Sequence, residues 1–566
     1  MNNRTRLVSL VAAAALTATS VTAAVAQPSE YPREETLYTS GTQWGAPNDW
    51  NPVTDWNYAM GTFGLVYEPL FLYDPLQDEY VPWLAESGEW TGETEYTIKL
   101  RDGITWADGE PLTAEDVKVT LELAKDNPLP YSGIWDFLES VEAVDDLTAV
   151  VTFSSPQHQQ WGNFIYNRPV LPAHLWADRS EEELLGPNEN PIGTGPYQYL
   201  THDQGRMVWQ KRDDAWWATE VYDLDPKPTY IVDIVNGSNN VALGLVLQGG
   251  LDLSNNFLPG VATLIEGGYG LSTYYDEPPY MLSANTAWLA MDHTEPPLDD
   301  PAFRKALAWA IDVPTIVNRV YGNIVQGANP TGLLPTWEKY IDQSVVDEMG
   351  FSYDPEMAKQ ALADAGYVDS DGDGFVENLD GSPISLEIIV PNGWTDWMES
   401  IRVIAESAAA VGIDVQTAFP DYNARTDAIH SANFDLAIVN DKQISNTPWD
   451  YYNYMFRLPI LESQNTDNFA RYDNPDAYAL VQQLDQVPVD DVEGMNEIIS
   501  QLQAIHLADM PIIPLWYNGA WAQASNAAWT NWPSDGGAEV FPITWGGYWQ
   551  MGGMRWLDAI EPVVAE

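Results

Sequence analysis

The stretch from Tyr96 to Lys125 constrains the fold most strongly, because it joins three local signals in one short run. Apolar and polar residues alternate from Tyr96 to Arg101, which predicts a half-buried β-strand. Two Asp-Gly pairs then break the alternation and indicate a turn-rich link. Thr113 predicts a helix N-cap, with Asp116 placed as in a capping box, and apolar residues recur at helical spacing behind it. Taken alone, the stretch predicts a strand, a loop and an amphipathic helix.

The same stretch closely resembles the signature of the family 5 extracellular solute-binding proteins, the large periplasmic receptors of ABC importers for oligopeptides, dipeptides, nickel and some oligosaccharides. Other stretches support the resemblance because they follow in the family's order. They are the GTGPY-like turn Pro191 to Tyr197, the helix Phe303 to Asp312 that enters the second lobe, Ala365 to Tyr367 with the aspartates after it, and Pro514 to Tyr517 on the return to the first lobe. Together they cover nearly the whole mature chain.

The resemblance implies an α/β, bilobal periplasmic-binding-protein fold of the large class, with an extra inserted subdomain and a ligand cleft between two hinged lobes. Its implied segments are 27–64, 191–283 and 509–566 for lobe I with the C-terminal tail, 65–190 for the inserted α+β subdomain, and 284–508 for lobe II. The residues themselves predict a hairpin from Val141 to Phe153, an apolar helix from Gly61 to Leu72, and a strand–helix–strand unit from Leu386 to Thr417.

Residues 1–26 have the pattern of a secretory signal peptide. Arg4 and Arg6 form a basic start, Leu7 to Leu16 is a short apolar run, and Ala24-Val25-Ala26 fits a cleavage site before Gln27. A membrane anchor is the alternative, but the apolar run is short for a bilayer span. The chain contains no cysteine for lipidation, so we expect a periplasmic or secreted protein.

Composition excludes several classes of function. A net charge of −59 repels nucleic acid and anionic membranes, and it disfavours a polyanionic substrate. The absence of cysteine removes disulfides, thiolate metal sites and cysteine nucleophiles. The six histidines show no zinc spacing, and neither a nucleophile elbow nor a P-loop is present. Spacing leaves a glycosidase carboxylate pair open, but the family resemblance argues against an enzyme.

The 25 tryptophans and 29 tyrosines are the most informative part of the composition, because several lie in polar, turn-rich segments. A single tryptophan of this kind could equally belong to the core, and a single asparagine is more often a turn residue. Tryptophan beside asparagine nevertheless recurs at the segment ends that the resemblance places between the lobes. The predicted ligand residues are Trp44, Asn48, Trp50, Asn255, Asn256, Asn392, Trp394, Trp397, Asn440, Asn446, Trp449, Trp516, Asn518 and Trp521.

Flat indole rings suit the apolar faces of sugars, and neutral amides both donate and accept hydrogen bonds from hydroxyls. Peptide-binding relatives place an aspartate shortly after the strand that resembles Phe434 to Asn440. By an ungapped comparison that position falls near Ile444 or Ser445, although Asp441 could replace it after a small shift. Thr39 to Trp44 and Thr447 to Phe456 resemble the branch that binds β-linked oligosaccharides such as cellobiose.

The predicted function is therefore a monomeric receptor that traps β-linked gluco- or manno-oligosaccharides by lobe closure and delivers them to ABC permease subunits. An oligopeptide receptor of the same fold is the first alternative, and a secreted glycan hydrolase is the second. No cofactor is required by this prediction.

One local motif predicts a metal site. In Asp369 to Asp380, acidic residues stand at positions one, three, five, nine and twelve, with glycine at six, which is the spacing of a calcium loop. The candidate ligands are Asp369, Asp371, Asp373, Phe375, Glu377 and Asp380. Aspartate at the twelfth position, where a bidentate glutamate is usual, should weaken the site. The alternative is an Asp/Gly hairpin without metal; a bound calcium ion would be structural.

Overall fold

The structure is a computed structural model that describes residues 30–41, 44–54, 59–537, 540–543 and 551–563. The predicted signal peptide, residues 1–26, lies outside these ranges. None of the described helices is long and apolar enough to cross a membrane.

The chain begins lobe I with one strand and then enters the inserted subdomain. The strand is β1 (Thr36–Ser40). The subdomain contains β2 (Phe71–Asp74), β3 (Glu79–Pro82), β4 (Ala85–Trp90), β5 (Glu95–Leu100), α1 (Ala114–Asp126), β6 (Leu138–Asp145), β7 (Thr148–Phe153), α2 (His158–Asn167), α3 (Ala173–Trp176) and α4 (Glu181–Leu185). The strand and helix predicted between Tyr96 and Lys125 are confirmed as β5 and α1. The backbone N–H of Thr113 donates to Asp116 Oδ2 at 2.7 Å, as the capping box requires.

The chain then returns to lobe I. This part contains β8 (Tyr197–His202), β9 (Arg206–Lys211), α5 (Trp217–Tyr222), β10 (Tyr230–Ile234), α6 (Asn239–Leu247), β11 (Leu253–Ser254), α7 (Val261–Glu266) and β12 (Leu271–Ser272).

Lobe II follows, and α8 opens its helical layer as predicted. Its elements are β13 (Ser283–Met291), α8 (Pro301–Ala310), α9 (Val313–Thr315), β14 (Gln326–Gly327), α10 (Gln343–Met349), α11 (Pro355–Ala365), β15 (Leu386–Ile389), α12 (Thr395–Ala409), β16 (Val415–Ala418), α13 (Tyr422–His430), β17 (Leu436–Val439), α14 (Trp449–Phe456), α15 (Pro475–Asp485) and α16 (Val492–Asp509). Asp300 Oδ1 accepts a hydrogen bond from the Ala302 N–H at 2.9 Å, which caps α8. The predicted strand–helix–strand unit is confirmed, because β15 and β16 pair in parallel with α12 between them.

The last strands are β18 (Ile512–Gly519), β19 (Gln523–Ser525), β20 (Trp529–Thr530) and β21 (Glu561–Pro562). β18 is a strand of the lobe II sheet, although the family resemblance places the chain from residue 509 onward in lobe I. Within the described residues, lobe I is built on seven strands in the order β12-β19-β11-β1-β10-β9-β8, and lobe II on six in the order β14-β18-β13-β17-β15-β16. In the subdomain, β4, β5, β7 and β6 form an antiparallel sheet whose β6–β7 pair confirms the predicted hairpin.

Two neighbouring strands connect the lobes. β13 and β18 pair antiparallel in lobe II, and the pairing continues to Ser283 opposite Gly519. Just beyond, the Ala520 N–H donates to the Leu282 carbonyl at 2.7 Å. Since both connections run side by side, they form a short hinge rather than a flexible tether.

The helix predicted from Gly61 to Leu72 is wrong. Only a single wide turn, Thr62–Val66, forms there, and Phe63 and Gly64 inside it have non-helical dihedral angles. Gly61 and Gly64 have φ values of 95° and 83°, which end any regular helix. The carbonyl of Val66 instead accepts from the Gly195 N–H at 2.8 Å. A backbone N–H of the GTGPY-like turn therefore occupies the Val66 carbonyl, which in a helix would accept a hydrogen bond from a residue further along the same helix.

That turn is fixed to the subdomain by one buried carboxylate. Glu68 is fully buried and accepts hydrogen bonds from Trp83 Nε1 at 2.9 Å, Trp217 Nε1 at 2.9 Å and Thr194 Oγ1 at 2.7 Å. Burial raises the pKa of Glu68, while the three donors lower it. Thr194 thus anchors the GTGPY-like turn to Glu68. Gly193 and Gly195 of the same turn allow its backbone to lie close to the backbone of Leu65 and Val66.

Candidate ligand-binding cleft

The carboxyl ends of three parallel strands meet at one edge of the lobe I sheet. β1 pairs in parallel with both β10 and β11, so Ser40, Ile234 and Ser254 end side by side. Asn255 and Asn256, two predicted ligand residues, follow β11 directly. Ligands of open α/β sheets bind outside this edge, where the strand-end loops converge.

Lobe II faces this edge with the start of α12. The rings of Trp44 from lobe I and Trp394 from lobe II lie 5.1 Å apart, so the two lobes touch across the cleft. Trp397 packs edge-on against Trp394 at 4.7 Å and is buried, whereas Trp44 and Trp394 are half-buried. These three predicted residues therefore form one aromatic group that spans both lobes.

A second aromatic group lies at the hinge. Trp521 stacks on Tyr321 with 6.2 Å between ring centres and 7° between planes, and Phe257 meets Trp521 edge-on at 5.4 Å. Trp516 packs against Tyr321 at 5.4 Å. The Asn255 side chain donates to the Trp521 carbonyl at 2.7 Å, which joins this group to the sheet edge of lobe I.

Neutral amides form the lobe II wall beside the hinge. Asn440 Nδ2 donates to Asn285 Oδ1 at 3.2 Å, and Asn285 Nδ2 donates to Gln443 Oε1 at 2.8 Å. Asn518 lies opposite Asn285 in the β13–β18 pairing. Asn440 and Asn518 were predicted from the sequence, and the structure adds Asn285 and Gln443.

Several buried polar atoms around the cleft have no hydrogen-bond partner among the described residues. They are Ser40 Oγ, Asn236 Nδ2, Asn256 Oδ1, Asn518 Oδ1 and both amide atoms of Gln523. Gln523 lies opposite Ser254 in the β11–β19 pairing, at the same sheet edge. Since buried polar groups are costly without a partner, these atoms favour contact with a polar ligand or ordered water.

Three predicted ligand residues lie away from these groups. Trp50 is buried against Tyr199, with 4.6 Å between ring centres. Asn446 accepts from Tyr166 Oη at 3.0 Å and donates to Tyr80 Oη at 2.7 Å, both in the subdomain. Trp449 is buried on α14, and its Nε1 donates to the Val481 carbonyl at 3.3 Å.

The remaining predicted asparagines are exposed. Asn48 lies on the loop after β1, and Asn392 lies just before Trp394, where its N–H donates to the Pro420 carbonyl at 2.8 Å. Sequence reasoning missed Ser40, Asn236, Asn239, Asn285, Tyr321, Gln443 and Gln523. The Asn-Gly-Ser-Asn-Asn run from Asn236 to Asn240, which begins two residues after β10, was the available signal for Asn236 and Asn239; Tyr321 has no comparable signal.

Asp441, the candidate anchor for a peptide ammonium, is exposed. Its Oδ2 accepts from Tyr454 Oη at 3.4 Å. The neighbouring Lys442 lies between Asp450 and Asp467, with its Nζ 3.3 Å and 2.8 Å from their carboxylate oxygens. These two carboxylates thus share an ion pair with one ammonium group of the chain itself.

The predicted calcium loop brings part of its ligand set together. Carboxylate oxygens of Asp369, Asp371 and Asp373 lie within 4.8 Å of one another, and all three residues are exposed. Glu377 Oε2 accepts from the Ser370 N–H at 2.8 Å. Asp380 Oδ1 accepts from the Ser382 N–H at 2.9 Å, and the Phe375 N–H donates to Asp373 at 2.9 Å. Calcium binding stays a prediction.

Calcium is expected to raise the melting temperature by about 1–3 °C at millimolar concentration, because a ligand that binds only the folded state stabilises it. The double variant Asp369→Asn/Asp373→Asn should lose this response. Asp427→Asn, which removes an exposed carboxylate on α13, should retain it. Equal melting temperatures with calcium and with chelator in the unmodified protein would leave only a metal-free hairpin.

Comparison with known proteins places this geometry in a family. Residues 79–459 match the profile of the bacterial extracellular solute-binding proteins, family 5. A crystal structure of an oligopeptide ABC transporter periplasmic oligopeptide-binding protein from Thermotoga maritima, with mannohexaose bound, is 44% identical, with a TM-score of 0.90 over 94% of this chain and 100% of that chain.

Two further comparisons concern one peptide receptor. The oligopeptide-binding protein AppA of Bacillus subtilis (strain 168) is 25% identical over 447 residues, which is 77% of this chain and 77% of AppA. The crystal structure of AppA with a nonapeptide has a TM-score of 0.77 at 19% identity, over 94% of this chain and 99% of that chain, and it supports the fold alone.

These matches confirm the α/β bilobal fold and set aside the alternative of a secreted glycan hydrolase, since members of this family are transport receptors without catalytic activity. The chain belongs to the family 5 bacterial extracellular solute-binding proteins and is an extracytoplasmic substrate-binding receptor of an ABC transporter.

Proposed function

We propose that this receptor captures a neutral, β-linked gluco- or manno-oligosaccharide by closing its two lobes over it. The observation that carries the proposal is the composition of the cleft. Indole rings from both lobes meet there, the unpaired polar atoms named above belong to amide and hydroxyl groups, and the buried carboxylate of Asp396 is already bonded to Asn239 and Tyr321. Aromatic planes can stack on pyranose faces, while neutral donors and acceptors pair with sugar hydroxyls.

The unpaired polar atoms strengthen this argument. Ser40, Asn236, Asn256, Asn518 and Gln523 together offer both donors and acceptors without a formal charge. A sugar ring has hydroxyls that do both, whereas a peptide terminus needs an opposite charge. A ligand without matching hydroxyls would leave these groups unpaired, so they would discriminate against it.

The Thermotoga maritima structure supports the same substrate class, because a protein 44% identical to this chain holds mannohexaose. The relationship to AppA is more distant, at 25% identity. Titration with gluco- and manno-oligosaccharides of different lengths determines the preferred sugar length and configuration.

An oligopeptide receptor is the second candidate. It is favoured by the similarity to AppA, an oligopeptide-binding protein, and by exposed Asp441, whose carboxylate could form an ion pair with a ligand ammonium group. In either case the closed receptor would meet its permease subunits as a monomer, after removal of residues 1–26.

Calorimetric titration of the mature protein tests both candidates. The ligands are cellobiose, cellopentaose, mannobiose, mannohexaose and a tripeptide mixture. We expect saturable heat with sugars and none with peptides. Peptide heat that disappears in Asp441→Asn would establish the second candidate and refute the first. Heat from neither class would also refute the oligosaccharide proposal.

A further inference from the structure

A buried hydrogen bond crosses the cleft at the start of two helices. Asn239 opens α6 in lobe I, and Asp396 lies in the first turn of α12 in lobe II. Asn239 Nδ2 donates to Asp396 Oδ1 at 3.0 Å and to Thr395 Oγ1 at 3.3 Å. The Asn239 backbone N–H also donates to the Gly393 carbonyl at 3.3 Å. All these bonds join one lobe to the other, so opening the cleft would break them.

The contact belongs to a longer polar chain. On the lobe I side, Asn256 Nδ2 approaches Asn239 Oδ1 at 3.4 Å. On the lobe II side, Tyr321 Oη donates to Asp396 Oδ2 at 3.0 Å. Asn239 is 3% exposed and Asp396 is 5% exposed, so the contact is shielded from water while the lobes touch. Because Asn256 is a predicted ligand residue, this row of hydrogen bonds links the predicted ligand site to the contact between the two lobes.

The surroundings of Asp396 are neutral. Tyr321 is the titratable group that faces it, and burial raises the pKa of Tyr321 well above its ordinary value, so the phenol stays protonated. Asn239 donates to the Asp396 carboxylate from α6, and Ser400 Oγ on α12 donates to the Asp396 backbone carbonyl at 2.8 Å. Within the described residues, Asp396 forms no ion pair.

We infer that the Asn239–Asp396 contact is a closure latch, and that protonation of Asp396 removes the cost of burying its charged carboxylate there, so that acid favours the closed, ligand-holding receptor. The inference concerns regulation of the same cleft and rests on the proposed closure over a ligand. Protonated Asp396 keeps Oδ1 as the acceptor for Asn239. Its Oδ2–H can donate to the Tyr321 oxygen, which reverses that bond without losing it.

The direction follows from burial. In the closed structure, desolvation raises the pKa of Asp396 to about 6, although Tyr321, backbone N–H groups and Asn239 lower it by hydrogen bonding. In open receptor, water reaches the carboxyl and its pKa returns toward about 3.9. Closed receptor therefore binds the proton more tightly, and linkage makes acid favour closure. The advantage is present at acid pH and is lost as pH rises through about 6.

The first test measures the dissociation constants of cellopentaose and mannohexaose between pH 7 and pH 5. These sugars do not titrate in that range. For the unmodified protein, binding should tighten about tenfold over this interval, as the closed-state and open-state pKa values imply. Asp396→Asn is uncharged at every pH but keeps a carbonyl oxygen for Asn239, so its affinity should not depend on pH.

A matched control removes another buried carboxyl. Asp485 accepts hydrogen bonds from the Gln159 and Gln160 N–H groups at the start of α2, away from the cleft. Burial raises the pKa of Asp485 to about 7. Asp485→Asn should therefore keep the pH dependence of sugar binding, whereas Asn239→Ala should weaken binding at every pH.

A second readout works without any ligand. The chain has no cysteine, so Gln248→Cys in lobe I and Asp364→Cys in lobe II give a clean pair of spin labels. The population at short label distance should grow as pH falls in the unmodified background and stay constant with Asp396→Asn. This measurement tests the latch even if neither sugar binds. Equal pH responses with and without Asp396, by either readout, would overturn the inference.

Discussion

Replacing Gly193 by alanine is expected to destabilise the protein by about 3–5 kcal/mol or to prevent folding. A Cβ atom at this position would lie 1.9 Å from the Val66 carbonyl oxygen and 2.4 Å from its carbon. Backbone atoms cannot rotate away as a side chain does. The Val66 carbonyl also accepts the Gly195 N–H, so any displacement would break the contact that joins the turn to the subdomain. Denaturant unfolding followed by tryptophan fluorescence measures the effect.

Gly205 provides the matched control. It lies in the turn between β8 and β9, and a Cβ atom there would meet its nearest neighbour, an Asp203 carboxylate oxygen, at an ordinary 3.6 Å. Gly205→Ala should change the unfolding free energy by less than about 1 kcal/mol. A Gly193→Ala protein as stable as Gly205→Ala would contradict the packing of the turn against Val66.

Replacing Trp394 by alanine is expected to weaken oligosaccharide binding by about 30- to 100-fold, which corresponds to about 2–3 kcal/mol. Trp394 is half-buried and meets Trp44 across the cleft and Trp397 behind it. Loss of its ring would remove the flat apolar surface that lobe II offers to the proposed ligand opposite Trp44 of lobe I. Calorimetry with cellopentaose and mannohexaose measures the change, and unfolding experiments should show a smaller effect on stability.

Trp309→Ala is the control for this prediction. Trp309 is also a half-buried tryptophan of lobe II, but it lies on α8, with the Lys305 ammonium 5.6 Å from its ring centre. Its loss should leave sugar affinity within about twofold of the unmodified protein. Equal losses of affinity in the two variants would argue that tryptophan truncation acts through stability rather than through the cleft.

The sequence predicted much of the fold because its strongest signals are local. The capped helix α1, the β6–β7 hairpin and the β15–α12–β16 unit each follow from periodicity and capping within one short segment. The segment around Gly64 failed for the opposite reason. Its apolar composition favoured a helix, but the partners that decide its conformation are Gly193 and Gly195, far along the chain.

The candidate cleft was predictable in kind more than in detail. Trp394, Trp521 and Asn256 were predicted because tryptophan beside asparagine recurs at segment ends that the family resemblance places between the lobes, and their contact with a ligand stays a prediction. Asn446 has the same local pattern, yet tyrosines from the subdomain use its amide. Tyr321 and Gln523 were missed because their positions at the cleft depend on tertiary contacts, and the residues next to them in the sequence give no signal of those contacts.

The meeting of Trp44 and Trp394 also has an optical consequence. Two indole rings with centres 5.1 Å apart and planes inclined by 36° are close enough for their excited states to couple. Such coupling gives near-ultraviolet circular dichroism a signature that depends steeply on separation. A ligand that inserts between the rings, or an opening of the lobes, would remove it. The Trp44–Trp394 pair is therefore an intrinsic chromophore pair with which ligand capture and release can be followed without an added dye.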